Sequence, residues 1–164
     1  MMRRLILAAG AFAACGWLSL TGQEPAPAVY TEAQAMAGRT AYRSSCGKCH
    51  TDTLMGRIGD PGELPPVDSL PAAMQEVVRG AGGNVPPLAG VDFMKRWGAR
   101  TTRDLSMRIR DAVGGFPPRE TGKETYLELT AYILQANGAR AGTQALDATS
   151  AVEIRSVTAA HPAH

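Results

Sequence analysis

Apolar residues recur at helical spacing in four stretches of this chain. In the first, Ala33, Ala35, Met36, Ala37, Ala41 and Tyr42 make one apolar stripe among strong helix formers. Thr31 and Gln34 read as a capping box at its start, so a helix is expected from there to Ser44 or Ser45, with Met36 and Tyr42 in the core. In the second, Pro71 stands at a first turn, Met74, Val77 and Val78 form the apolar face, and Gly80 to Gly83 end the helix after Arg79. The third runs from Asp104 to Val113, capped by Thr101 or Thr102, with Leu105, Ile109 and Val113 repeating every four residues. Asp104 sits there at the positive end of the helix dipole, and Gly114-Gly115 stops the run. The fourth opens on Thr121 and Glu124 as a second capping box. It carries Tyr126, Leu127, Leu129, Thr130, Ile133 and Leu134 to a stop at Asn137-Gly138. The expected class is all-α.

The intervening stretches have other characters. Residues 1–23 read as a signal peptide or N-terminal anchor, with Arg3 and Arg4 before an apolar run from Leu5 to Leu20. Ala13-Ala14-Cys15-Gly16 resembles a lipoprotein cleavage box, but Phe12 stands where Leu is usual and the apolar run continues beyond, so ordinary cleavage or anchoring is favoured over lipidation at Cys15. Pro25 and Pro27 make residues 24–30 an extended leader. From Arg57 to Val85 the chain is rich in Gly and Pro, which predicts a long loop insertion around the short second helix. Residues 140–164 form a C-terminal extension of small residues, with Val152, Ile154 and Val157 expected to pack as an extended strap.

At 164 residues the chain holds one domain rather than two. Two of its 17 Lys and Arg and none of its 15 Asp and Glu precede Glu24, so the chain after that point is formally neutral. That balance argues against a nucleic-acid or anionic-membrane partner. A membrane association is expected only if the N-terminal segment is retained or lipidated.

The chemistry concentrates in Cys46-Gly47-Lys48-Cys49-His50. Two thiols three positions apart match the two vinyl groups on one porphyrin edge, and His50 follows at once, placed to ligate iron from one face. A redox dithiol would want alternating strands and helices around the pair, and no strand-rich run flanks it. A zinc site would want further ligands, and the other histidines are His161 and His164, in the last four residues. The motif therefore predicts one covalent c-type haem held by Cys46 and Cys49, with residues 31–139 as its domain and the Gly/Pro-rich insertion as a lid over one haem face or a surface excursion. Aromatics make up only 5% of the chain, which suits a core whose apolar volume is partly supplied by a porphyrin.

Beyond the motif, Pro86-Pro87-Leu88-Ala89-Gly90 and the segment Tyr126 to Gly142 resemble class I cytochromes c, in particular the domains found with pyrroloquinoline-quinone-dependent dehydrogenases. The likeness covers roughly residues 31 to 142, all of the globular part by ordinary domain sizes. It implies helices packed around one haem, with the first and last crossing where Gly38 and Ala41 face Tyr126, Thr130 or Ile133. It also implies that Pro86, in a Pro-x-Leu pattern with Leu88, offers its carbonyl to the ligand histidine, and that Phe93 and Trp97 pack against haem.

The chain departs from that family at Phe116-Pro117-Pro118, where Met-Pro-Pro usually provides the sixth iron ligand. The sixth position is then vacant over Phe116, or filled by Met74 or Met55 of the insertion, or by His161 or His164. Met94 is read as core packing and Met107 as pointing outward. The expected function is a periplasmic single-electron carrier, not an enzyme, exchanging electrons with a dehydrogenase, another cytochrome or a terminal oxidase. The alternative is a five-coordinate haem protein that binds small ligands as a sensor or weak peroxidase.

Overall fold

A computed structural model of the chain describes residues 26–56, 68, 72–82, 84–114 and 124–158. The N-terminal segment 1–23, most of the Gly/Pro-rich insertion, Phe116, Thr121, His161 and His164 lie outside the described residues. Among those described there are seven helices and no sheet: α1 Glu32–Ser45, α2 Gly47–His50, α3 Ala72–Gly80, α4 Gly90–Trp97, α5 Thr102–Gly114, α6 Thr125–Ala136 and α7 Ile154–Val157. The all-α class expected from the periodicity holds. None of these helices is long and apolar enough to cross a membrane.

The core is built on α1 crossing α6. Thr31 Oγ1 accepts the Gln34 N–H at 3.3 Å while Gln34 Oε1 accepts the Thr31 N–H at 3.2 Å, which is the capping box expected of this start. Helix α1 buries Ala35, Gly38 and Tyr42 on one stripe, against a face of α6 carrying Leu127, Leu129, Thr130, Ala131, Ile133 and Leu134. At the crossing the two backbones touch. A Cβ on Gly38 would run into the Glu128 carbonyl and stand 3.0 Å from the Leu129 nitrogen, so only glycine admits this approach. Tyr42 and Tyr132 extend the contact, their ring centroids 5.3 Å apart and tilted by 56°.

Three local expectations are corrected. Met36 is not in the core: it is 64% exposed, because the buried stripe runs through Ala35, Gly38 and Tyr42 and leaves Met36 on the opposite side. Helix α6 starts at Thr125, and Glu124 is itself the N-cap without a side-chain hydrogen bond, so it does not serve as the third residue of a box. A helix also covers Gly90–Trp97, where the apolar pair Phe93 and Trp97, four apart, suggested no more than packing. Between the two candidate caps of α5, Thr101 is the one used. Its Oγ1 accepts the Asp104 N–H at 3.2 Å, and its own N–H and hydroxyl donate to Asp104 Oδ2 at 3.0 and 2.8 Å.

Residues 140–158 of the C-terminal extension pack on the core. Leu146, Ile154 and Val157 are each at most 2% exposed, and burying side chains of this size contributes on the order of 2 kcal/mol apiece. Polar clamps hold the strap at two places. Gln34, already in the α1 cap, donates to the Leu146 carbonyl and accepts the Leu146 N–H, both at 2.8 Å. At the α4–α5 corner the buried Thr102 hydroxyl donates to Ser150 O at 2.7 Å, and backbone bonds run from Thr102 N to Val152 O, Ile154 N to Arg100 O and Arg155 N to Gly98 O. The strap packs through isolated bridges and the single turn α7 rather than as a strand.

Gly38→Ala is expected to destabilise the fold on the order of 2 kcal/mol in urea unfolding, since overpacking against backbone outweighs a gain of about 1 kcal/mol in helix propensity. A neutral effect would contradict the close crossing. Hydrogen bonds from the Thr101 backbone and hydroxyl hold the Asp104 carboxyl below the usual carboxylate range. Its capping contribution is thus complete above the range where unfolded Asp titrates and is lost as pH falls through the lower folded value. Asp104→Asn is expected to lower stability at neutral pH and to flatten the acid limb of a stability-against-pH curve.

Candidate functional site

Helix α1 ends where the motif begins. Cys46 is the C-cap of α1, its N–H donating to Tyr42 O at 2.8 Å, and its carbonyl then accepts the N–H groups of Cys49 at 3.1 Å and His50 at 2.9 Å. That single turn, α2, sets Cys46 half-buried and Cys49 buried at the edge of the core, with His50 half-buried after them. Neither Cys46 nor Cys49 is in a disulfide among the described residues. Burial, with Cys49 beside it, pushes the Cys46 thiol up to about 11, so it is protonated at neutral pH and is a poor nucleophile.

The imidazole is fixed from outside its own helix. His50 Nδ1 lies 2.9 Å from the carbonyl oxygen of Pro86, and since a carbonyl can only accept, Nδ1 carries the proton and donates it. Nε2 is left with a lone pair. Burial lowers the His50 pKa and outweighs the opposing pull of the Pro86 carbonyl, so the ring is neutral at neutral pH.

The turn from Thr51 to Gly56 ties the motif to the Pro86 segment. Thr51 and Leu54 both have positive φ, 63° and 62°, a conformation that costs a non-glycine residue on the order of 1–3 kcal/mol. Tertiary hydrogen bonds hold them there. The Tyr42 hydroxyl donates to Thr51 O at 2.6 Å, Leu88 N–H donates to Leu54 O at 2.7 Å, and Gly56 N–H returns to His50 O at 3.1 Å. Burial raises the Tyr42 pKa, so this donor keeps its proton. Gly56, at φ 66°, lies so close to the 85–86 backbone that a Cβ would meet Val85 O and stand 2.7 Å from the Pro86 carbonyl carbon.

Asn137 closes the assembly, a role the sequence reading did not assign to it. It is 2% exposed at the end of α6. Its Nδ2 donates to Leu88 O at 2.9 Å and Ile133 O at 2.8 Å, and its Oδ1 accepts the Gly90 N–H at 3.0 Å. In sequence, Asn-Gly after an apolar helix signals a stop, and nothing local marks a side chain that reaches a segment 47 residues away.

Leu88 and Trp97 are half-buried at the core margin; Trp97 stacks on buried Phe93 at 6.5 Å and carries the Arg100 guanidinium over its ring at 5.1 Å. Pro86 is exposed apart from its carbonyl contact. Met55 is 56% exposed and lies against Gly90, beside the segment that holds His50. Met94 is partly buried against the core, its Sδ 3.9 Å from the Thr158 hydroxyl, and Met107 is half-buried on α5. Met74 belongs to α3, its side chain being outside the described set, as is Phe116.

What the arrangement can bind follows from its donors. Among the described residues, no three His, Cys, Asp or Glu side chains converge as metal ligands, so Cys46, Cys49 and His50 do not share a common point. Two thiols on one turn and a neutral imidazole whose Nε2 accepts no hydrogen bond among the described residues suit a group held at the sulfurs and ligated by the ring. Compared with known proteins, the chain matches no family model, no curated protein and no solved structure.

Gly56→Ala is expected to cost on the order of 2–3 kcal/mol in thermal or urea unfolding and to speed exchange of the His50 Nδ1 proton observed by NMR. Gly80→Ala, whose new methyl meets open space, serves as the comparison and is expected to leave that proton unchanged.

Proposed function

We propose that this chain is a monohaem c-type cytochrome of the class I type, working as a single-electron carrier outside the cytoplasm. The observation that carries the reading is the His50 Nδ1–H bond to the Pro86 carbonyl beside two thiols at attachment spacing. An imidazole held by its Nδ1 proton presents Nε2 as a ligand of fixed tautomer and orientation, which is the arrangement metal-bound histidines adopt. The competing readings fit less well. A redox dithiol wants alternating strands and helices around the pair, and the described residues form helices and no sheet. Zinc wants convergent donors, which the described residues do not offer.

A haem bound here would supply reversible one-electron chemistry between ferric and ferrous iron. The polypeptide's own tasks are separable from it. Cys46 and Cys49 would hold the group covalently as thioethers, and His50, oriented by Pro86, would present Nε2 to its iron. Leu88 and Trp97, left half-buried at the core margin, provide apolar surface whose burial a porphyrin would complete. Redox proteins are the proposed partners, a dehydrogenase, another cytochrome or a terminal oxidase.

A second reading, a five-coordinate haem that binds small ligands, is favoured by where the methionines lie. Phe116 replaces the usual ligand in sequence, Met94 is engaged in the core, Met36 is on the surface of α1, and Met55 is exposed and lies against Gly90. The two readings share every residue on the histidine side and differ only at the sixth position.

Exported in cells that mature c-type cytochromes, the protein is expected to gain the mass of one covalent haem, and Cys46→Ser with Cys49→Ser to lose it. A purified chain without added tetrapyrrole would remove both readings. The ferric spectrum is expected to be high-spin, with carbon monoxide binding rapidly after reduction, and Phe116→Met to convert it to low-spin. Met74→Leu is expected to leave it unchanged, and a change there would assign the sixth ligand to the insertion.

A further inference from the structure

The end of α6 is tied to the histidine segment more tightly than ending a helix requires. Of the three hydrogen bonds that the Asn137 amide makes among the described residues, only the one to Ile133 O serves its own helix. The other two grip Leu88 O and Gly90 N, on either side of Ala89. Between Leu88 and the carbonyl that holds His50 stands Pro87, whose ring fixes its own φ and confines Pro86 to extended backbone. With so few free torsions, holding Leu88 in place also holds the direction of the Pro86 carbonyl. Leu88 N–H bonds to Leu54 O at 2.7 Å, so this residue is anchored on both its peptide groups.

We infer that Asn137 is the positioning residue for the His50 imidazole, acting through Leu88, Pro87 and the Pro86 carbonyl. The inference rests on the haem reading above and extends it to the tuning of the iron. The strength of the Nδ1–H to carbonyl bond sets how much electron density the ring gives the metal, so a residue that aims the carbonyl sets part of the redox potential. Through Asn137, the packing of the last helix would reach the His50 imidazole and, with a haem bound, its potential.

The test compares Asn137→Leu, which removes these hydrogen bonds without adding charge, with Leu129→Ala, which opens a cavity on the same helix about two turns before Asn137. The holoprotein carries both measurements: the midpoint potential, and exchange of the His50 Nδ1 proton by NMR in the reduced state. Asn137→Leu is expected to shift the potential positive, because a less strongly donating imidazole stabilises ferric iron less. It is also expected to speed the exchange about tenfold, the loss of one hydrogen bond's net stabilisation. Leu129→Ala is expected to lower the unfolding midpoint and to move neither signal. Asn137→Ser, a milder change read in the same way, is expected to give an intermediate shift and decides the matter if the Leu variant does not accumulate. Potential and exchange unmoved in haem-loaded Asn137 variants, or moved as far by Leu129→Ala, would overturn the positioning role alone. A wild-type chain that carries no haem would remove it together with the function on which it rests.

Discussion

An imidazole presents one nitrogen reliably only when the other is held, and in this protein a proline carbonyl holds it. The 2.9 Å bond from His50 Nδ1 to Pro86 O joins segments 36 residues apart and decides the tautomer, the ring orientation and the free lone pair together. Much of the structure around it keeps that one carbonyl in place. Proline at both 86 and 87 removes two backbone donors and most of the torsional freedom. The strained turn at Thr51 and Leu54 then brings Leu54 O to Leu88 and Gly56 against Pro86.

That arrangement is supported from two directions by the α1–α6 crossing. Helix α1 runs from its capping box to Cys46 and delivers the motif as its own C-cap, while Tyr42 reaches from its last turns to the Thr51 carbonyl. Helix α6 ends at Asn137, which holds Leu88 and Gly90. The motif and the segment that serves it are thus carried on two helices locked by a backbone contact at Gly38, and their relative position is inherited from that contact. A rigid scaffold beneath a small polar assembly is how a site tolerates left-handed backbone in Thr51 and Leu54.

The C-terminal strap shows the same economy of parts. Gln34 caps α1 and clamps Leu146 with the same amide, and Thr102 begins α5 while binding both Ser150 and Val152. With Ile154 and Val157 fully buried, residues 140–158 are integral to the core that positions α1 and the α4–α5 corner.

Much of what depends on near neighbours could be read from the sequence, the start of α6 and the helix α4 excepted. The capping box at Thr31, the end of α1 at Ser45, the Asp104 dipole position, the stop after Ala136 and the turn that groups Cys46, Cys49 and His50 all rest on contacts within about four residues, and such contacts are written in local order. The resemblance added Pro86, which local order alone shows only as a stiff turn. The rest needed the chain folded. Met36 and Ala35 are neighbours in a mixed stripe, and only the docking of α6 decides which of them is buried. Likewise Asn137 carries the same letter whether it ends a helix idly or grips a loop, and Leu146 looks like one apolar residue in a small-residue tail until Gln34 is found beside it. Those choices are made by pairings across 47 and 112 residues, and hydrogen bonds at that range depend on where helices pack rather than on what lies next to each residue in the chain.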